Sequence, residues 1–425
     1  MGRTDNGLQS LPAIPRAALS RLNRVNDSDN FQLNKRQSLN MKNSYTCLVA
    51  GAGPSGTAAA YTLAKNGIDV CIVDKAIFPR EKLCGGGLTR RTKNSFLDVF
   101  DLNWEDMYEY SANSALFYYK GHVINKIEDY GELYFCDRIM FDNRLLDQAT
   151  SRGVDVVPGE RVDVIDTVEK TCKLASGRQI RYRYLIGADG VNSVVARQFV
   201  SRRINRNRYA YALQVDIHKD DYGKKELTRP ELYFGDVAMG YGWVFPKRNS
   251  YTVGICSRYS KTVDARKKMM DFFADRNGAP FKGRLKGHYI PFGNYAERVV
   301  ENDMILVGDA AGLVDPVTGE GIAYAIESGY HAAVAVIAAV SGKNCNIEAV
   351  YKKKYYSAIS RELARANMLQ QAIYSRYTQA IVMHALSKSR TMPYHYMDLL
   401  SGDCSYKEFI SIIQKKTKKL IFMGR

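Results

Sequence analysis

Three glycines in Gly51-Ala-Gly53-Pro54-Ser55-Gly56 have the spacing that holds a dinucleotide by its phosphates. Gly51 permits a tight turn, Gly53 lets backbone approach a pyrophosphate, and Gly56 lets a helix pack closely on the preceding strand. The phosphates would rest on the N-terminus of a helix starting near Ser55, where unpaired N–H groups and the helix dipole favour negative charge. Asp74 follows at the distance from which an acid accepts ribose hydroxyls. An isolated Gly-x-Gly-x-x-Gly could be an ordinary turn. Here a buried strand over 45–50 leads in, a small-residue helix runs to about Lys65, and a second strand over 70–73 delivers Asp74, so the binding unit is complete.

Four further stretches carry chemistry-bearing residues. Phe78-Pro79-Arg80-Glu81-Lys82-Leu83-Cys84-Gly85-Gly86-Gly87 sets three glycines beside a thiol. Each glycine costs backbone entropy on ordering, which makes sense where backbone lies against something flat or charged; a flexible surface loop would have the same composition. At Gly187-Ala188-Asp189-Gly190 a buried strand reaches an Asp-Gly turn and a helix with Ser193 in its first turn, so Asp189 either caps that backbone or binds near a ribose or phosphate. Gly308-Asp309 ends another buried strand, and a loop bearing Gly312, Pro316 and Gly319 leads to a helix starting near Glu320. Asp309 can bond a hydroxyl there, and the helix N-terminus offers its positive end to an electron-rich ring. Tyr241, Trp243 and Phe245 alternate along one strand, which puts three aromatic faces on one side. Such a face is most often core, and it can also wall an apolar pocket.

The elements that must position these residues alternate strand and helix. Aromatic and polar residues alternate over 110–135 as strands, a helix begins at Arg138, and a strand follows Gly153. From 201 to 291 the pattern is strands rich in aromatics, after which the chain returns to the nucleotide side. The tail from Ser341 is helical and basic: fifteen Lys and Arg against five Asp and Glu give 15 − 5 = +10. Its last stretch, Phe409 to Phe422, mixes apolar residues with lysines, as suits an anionic membrane surface, although a charge run can also be a solvated face.

Length and composition (425 residues, 46% hydrophobic, 25% charged) indicate a globular chain of two or three domains with a large core. No apolar run reaches the eighteen or so residues that span a bilayer, and Ala332 to Val340 reads as part of a core helix. Eight scattered cysteines without a CxxC pair signal neither a metal site nor a disulfide framework and fit a reducing, cytoplasmic setting. A formal charge of +17 suits an acidic partner: nucleic acid, anionic lipid or a phosphorylated substrate. Residues 1–40 lack periodicity and read as a disordered extension. Arginines at helical spacing over 11–25 would suit a targeting presequence, but Asp5, Asp27 and Asp29 count against it.

The glycine loop at 51–56, the Asp-Gly motif at 187–197 and the Gly-Asp motif at 308–321, in that order, resemble the FAD-dependent oxidoreductases built like para-hydroxybenzoate hydroxylase. Phe78-Pro-Arg-Glu-Lys-Leu-Cys84-Gly-Gly and Met239-Gly-Tyr241-Gly-Trp243-Val-Phe245-Pro246 are similar to two signatures of the geranylgeranyl reductase family within it, with Leu83 where many members carry Pro. The similarity covers about Met41 to Val340. It implies an α/β fold: a Rossmann-like FAD-binding domain (41–110, 136–200 and 296–340), an inserted, mainly antiparallel β-sheet substrate domain (111–135 and 201–295), and a C-terminal helical tail (341–425). Carried over, Gly51, Gly53, Pro54, Ser55 and Gly56 would hold the pyrophosphate, with Asp74 and Lys75 at the adenosine ribose. Arg138, Asp189 and Asp309 would lie along the cofactor, and Gly319, Gly321 and Ile322 beneath the flavin. Cys84, Gly85 and Gly86 would sit near its reactive face, with Cys84, Tyr241 and Trp243 as catalytic candidates. Tyr241, Trp243, Phe245 and Pro246 would line the substrate tunnel.

Family members saturate double bonds of polyprenyl chains on lipids or pigment precursors. The expected partners are therefore a prenyl lipid and either NAD(P)H or a redox protein such as ferredoxin as electron donor, since no second Gly-x-Gly-x-x-Gly is present; the basic tail adds an anionic membrane surface at which the protein is peripheral. Neither nucleic acid nor a metal is expected. A flavin monooxygenase hydroxylating an aromatic or lipid is the main alternative. A flavin-dependent halogenase fits less well, because its Trp-x-Trp-x-Ile-Pro is met here by Tyr241-Gly-Trp243-Val-Phe245-Pro246 and its Gly-Glu-Ser by Cys-Gly-Gly. Retention of the fold as a mere binding scaffold is opposed by the intact cofactor motifs.

Overall fold

Strand β1 (Ser44–Ala50) lies inside the first sheet because Cys47 to Ala50 are buried, and a strand covered on both faces reads as a continuous apolar run. The structure, a computed structural model, describes residues 41–199, 209–223, 226–258, 264–281, 283–293, 295–342, 346–375 and 377–423. The chain divides into Met1–Asn43 and Ser44–Arg425. The extension expected over 1–40 lies outside the described residues.

After β1 come α1 (Pro54–Lys65), β2 (Val70–Asp74), β3 (Gly87–Leu88), α2 (Arg90–Val99), β4 (Tyr110–Ala112), β5 (Ala115–Tyr119), β6 (His122–Ile127), β7 (Leu133–Phe135) and α3 (Arg138–Ser151). Strands β8 (Asp155–Pro158), β9 (Val162–Asp166), β10 (Thr171–Leu174), β11 (Gln179–Gly187), β12 (Ala210–His218), β13 (Glu231–Phe234), β14 (Gly240–Pro246) and β15 (Ser250–Arg258) come next. Then come α4 (Ala265–Asn277), β16 (Lys286–Ile290), β17 (Val300–Glu301), β18 (Met304–Leu306), the short α5 (Gly308–Ala311) and α6 (Ile322–Val340). The tail consists of α7 (Ile347–Lys354), a π turn (Tyr355–Ser360), α8 (Arg361–Tyr374), α9 (Gln379–Lys388), α10 (Met392–Ser401) and α11 (Tyr406–Met423).

In the first sheet the strand order is β17-β18-β11-β1-β2-β8, with β10 and β9 continuing antiparallel from β11. β1 pairs in parallel with β2 and β11, so Asp74 and Gly187 finish at the same end as the glycine turn. Gly329 lets α6 cross α1 closely, since a Cβ there would stand 2.1 Å from Ser55 O. α6 is longer than the apolar run read from the sequence, and by length and composition it could cross a membrane, but 61% of its apolar window is buried here as core.

The second sheet has the order β16-β12-β15-β14-β13-β5-β6, antiparallel except between β13 and β5. Period two divides its side chains: Trp243 and Phe234 enter one buried cluster with the tail helices, while Val244 and Tyr233 enter another beneath α4. Strands alone were expected over 201–291, so α4 is an addition. Its inward residues Met269, Phe272, Phe273 and Arg276 are at helical spacing, and the surrounding cations masked the pattern. β4 and β7 do not join this sheet; with β3 they make a third, small one.

Candidate functional site

The glycine turn, the Cys84 loop, the Asp-Gly turn, the Gly308–Gly321 segment and the aromatic strand β14 all border one cavity of about 850 Å³. At one end the three glycines of the turn differ in what they face. A Cβ on Gly51 would stand 2.3 Å from Ala188 O, and one on Gly56 1.9 Å from Gly51 O, so both are fixed by close packing. A Cβ on Gly53 would meet nothing nearer than Arg80 Nη2 at 3.9 Å, and its backbone (φ −73°, ψ 178°) suits any residue. The open side of Gly53 faces the cavity. Pro54 and Ser55 open α1 beside it and line the cavity too, whereas Gly56 does not.

Asp74 lines this end and holds the turn: Ala52 N–H donates to Oδ2 at 2.6 Å and Ala76 N–H to Oδ1 at 2.8 Å. A carboxylate has about four acceptor positions, so capacity for ribose hydroxyls is left. Lys75 is adjacent. Asp189 accepts Val194 N–H at 2.6 Å and Val195 N–H at 3.3 Å, the capping role open to it from sequence, and it borders the cavity as well. Beyond Asp189 the chain forms a single 3-10 turn, Val195–Gln198, rather than the longer helix expected.

The Arg138 guanidinium makes a buried fork to Asp142, both contacts 2.8 Å. Arg80, which sequence reasoning passed over, shares Asp142 through Nη2 at 3.0 Å. Its Nη1 is buried without a hydrogen-bond partner among the described residues. Lys82 and His288 approach to 2.7 Å, Nζ to Nε2, with Asp309 near both. Burial lowers both pKa values, that of His288 to about 4, the neighbouring lysine adding to the effect. Arg80 and Arg138, two guanidiniums against the single carboxylate of Asp142, leave this part of the wall cationic, as a pyrophosphate requires.

At the other end the Cys84 loop is pinned by Gly86. Gly86 N–H donates to Cys84 Sγ at 3.4 Å, Cys136 N–H donates to Gly86 O at 2.9 Å, and a Cβ on Gly86 would stand 2.4 Å from Cys136 O. The flat partner of this loop includes protein, because a Cβ on Gly85 would come within 3.0 Å of the Phe245 ring and 3.3 Å of Trp243 Nε1. Trp243 fills the space left by Gly254, where a Cβ would be 2.3 Å from the indole, and its Nε1 has no described partner. Tyr241 Oη would stand 2.3 Å from a Cβ on Gly319, so the aromatic wall abuts the loop beneath which Gly321 and Ile322 start α6. Burial raises the Tyr241 phenol well above its ordinary range. Pro246, expected in the tunnel, is not on the cavity: period two gives it the opposite parity from Tyr241, Trp243 and Phe245, and it pairs with Tyr251 at the strand's end.

The tail supplies what sequence reasoning missed. Tyr396, Met397 and Leu400 of α10 line the cavity. Tyr374 Oη donates to Val317 O at 2.8 Å, and Tyr406 Oη donates to Asp315 at 2.7 Å, so two tail tyrosines clamp the 315–319 loop. Burial raises the Asp315 carboxyl above the usual range, against the pull of Tyr406 and the backbone N–H groups of Thr318 and Val317.

Comparison with known proteins is consistent with this geometry. The FAD binding domain model matches residues 44–277, more than half of the chain. Menaquinone reductase of Mycobacterium tuberculosis is 30% identical over 319 residues, 69% of this chain and 77% of that protein. Digeranylgeranylglycerophospholipid reductase 1 of Methanococcoides burtonii is 27% identical over 404 residues, 90% of this chain and 95% of that protein. A geranylgeranyl bacteriochlorophyll reductase-like structure from Thermoplasma acidophilum superposes with a TM-score of 0.72 over 88% of this chain and 99% of its own, at 23% identity, which establishes the shared fold. The chain belongs to the geranylgeranyl reductase family of FAD-dependent oxidoreductases.

FAD is the cofactor of this flavoprotein, and the residues present fit it. The open side of Gly53 and the unpartnered Arg80 Nη1 suit a pyrophosphate, and the cavity continues to the Cys84 loop and α6. Among the described residues there is no cluster able to hold a metal ion.

The Lys82–His288 pair gives a pH expectation. Folded His288 titrates near 4 against an ordinary 6.5, so between these values the unfolded chain binds more protons and stability rises with pH. Its contribution is complete above about 6.5 and is lost as pH falls towards 4. Lys82, Asp309, Lys75 and Arg138 are the charged groups around it. His288→Gln should therefore show a shallower fall of Tm between neutral pH and pH 4 than the parent, measured by thermal unfolding across that window.

Proposed function

We propose that this flavoprotein reduces carbon–carbon double bonds in the geranylgeranyl or polyprenyl chain of a lipid, at the aromatic end of the cavity. Two relatives carry names that fit: a digeranylgeranylglycerophospholipid reductase and a menaquinone reductase. The observation that carries the reading is the contact of one apolar wall with both flavin-side loops, Trp243 against Gly85 and Tyr241 against Gly319. Reduced FAD, when bound, supplies the hydride. An isolated alkene does not stabilise a carbanion, so a proton must reach the other carbon as the hydride arrives, which needs a placed acid and little water. Cys84 is the acid candidate: its Sγ accepts the Gly86 N–H, its S–H remains to donate, and it lines the cavity. Trp243 and Phe245 exclude water, and Tyr241 holds its phenolic proton. Gly51, Gly53, Pro54, Ser55, Asp74, Lys75, Arg80, Arg138, Asp189 and Asp309 would hold the cofactor.

NAD(P)H or a protein donor such as ferredoxin would reduce the flavin. The purified protein should show flavin absorbance that bleaches anaerobically with the correct donor and recovers on addition of a prenyl lipid. Bleaching without recovery by any geranylgeranylated phospholipid or prenylquinone would overturn the proposal.

A further inference from the structure

We propose that the outward face of α8 and α9, around Met368, Tyr377 and Ile381, docks on an anionic lipid bilayer and so brings the helical tail, whose α10 borders the cavity, to the membrane. The proposal rests on the prenyl-lipid reading above, because such a substrate resides in a bilayer. Single exposed apolar residues are normal on a protein surface. Here Met368 (73% exposed) on α8, Tyr377 (72%) in the turn after it and Ile381 (70%) on α9 fall within one short stretch, while the other large exposed apolar side chains among the described residues, apart from Val168, are 56% exposed or less.

The same two helices are apolar on their inner side. Leu369, Ile373, Met383 and Leu386 enter the buried cluster that contains Trp243 and Phe234. These helices pack inward on the cluster that also holds Tyr396 and Met397 of α10, which line the cavity, while Met368 and Ile381 are left exposed among cations, a pattern that suits a lipid surface better than water. Charge complementarity identifies that lipid as anionic: the described residues of this stretch, 361–375 and 377–390, contain Arg361, Arg365, Lys388 and Arg390 against a single acid, Glu362. Glu362 pairs with Arg365 and accepts Tyr406 N–H at 2.8 Å, which ties it to α11. The membrane segment expected at Phe409 to Phe422 has a different use over its described side chains. Phe409, Ile412 and Ile413 pack into the core, and Lys416 bonds Ser389 and Thr391; the side chains from 417 onward lie outside the described residues.

The test uses the full-length, FAD-loaded protein and substrate-free vesicles of phosphatidylcholine with phosphatidylglycerol, against pure phosphatidylcholine. The parent should sediment with the anionic vesicles and be released by salt. Met368→Glu/Ile381→Glu should lower the partition coefficient by about tenfold or more with circular dichroism and flavin absorbance unchanged. Deletion of 417–425 should have the smaller effect. Equal binding by the double variant, or no preference of the parent for anionic vesicles, overturns the proposal. A parent that is dimeric in solution while the double variant is monomeric also overturns it, by assigning the face to a second copy. Because the vesicles carry no substrate, a protein that docks yet reduces no prenyl lipid counts against the reductase reading alone.

Discussion

Gly53→Val should give a folded, colourless protein. The backbone at Gly53 is extended and a Cβ there meets no atom nearer than Arg80 Nη2 at 3.9 Å, so the change in stability should stay within about 0.5 kcal/mol. On the proposed reading the same side chain stands where backbone approaches the pyrophosphate, and FAD affinity should fall by at least about a hundredfold, roughly 3 kcal/mol. Gly56→Ala is the contrasting control. Its Cβ would lie 1.9 Å from Gly51 O, so it should disturb the turn and lower Tm as well as flavin content. Flavin stoichiometry by absorbance and Tm by calorimetry separate the two cases. A yellow Gly53→Val protein of parental affinity would remove the glycine turn from the cofactor site.

The glycine turn was legible in the sequence because its constraints are local: a strand, a turn and a helix, contiguous in the chain, state the need for each glycine. The aromatic strand was legible for the same reason, since period two alone places Tyr241, Trp243 and Phe245 together, as it also excludes Pro246. Long-range partners left no such trace. Asp315 and Tyr406 are 91 positions apart, and Lys82 and His288 are 206 apart. No periodicity announces that a tyrosine in a basic tail will clamp the 315–319 loop that borders the cavity. Arg80 was passed over because an arginine ordinarily lies in solvent, and only the fold shows that it shares Asp142 with Arg138. The Cys84 loop was left between two readings, close approach and idle flexibility. Gly85 and Gly86 resolve it as close approach, against Phe245, Trp243 and the Cys136 carbonyl.

The chemistry at the other end of the cavity separates wall from acid. Trp243 is 5% exposed and seated on Gly254, so Trp243→Ala should cost about 3–5 kcal/mol and loosen the Cys84 loop besides. Trp243→Phe keeps most of the volume and is the cleaner probe: flavin content should be retained while prenyl reduction slows, because the indole that packs on Gly85 no longer closes the wall. Cys84→Ser keeps a side chain able to accept the Gly86 N–H but offers a far poorer acid. The alkene step should slow by about a hundredfold or more, with flavin reduction by the donor nearly unchanged. Stopped-flow absorbance resolves these steps, bleaching reporting the first and recovery with lipid the second. Equal slowing of both would point to a misplaced cofactor rather than a lost proton donor. Mass spectrometry of the lipid then separates reductase from monooxygenase. A gain of two hydrogens under anaerobic conditions is the expected product, whereas oxygen uptake with a gain of one oxygen atom would mean that the dry wall admits oxygen and that Cys84 protonates no carbon.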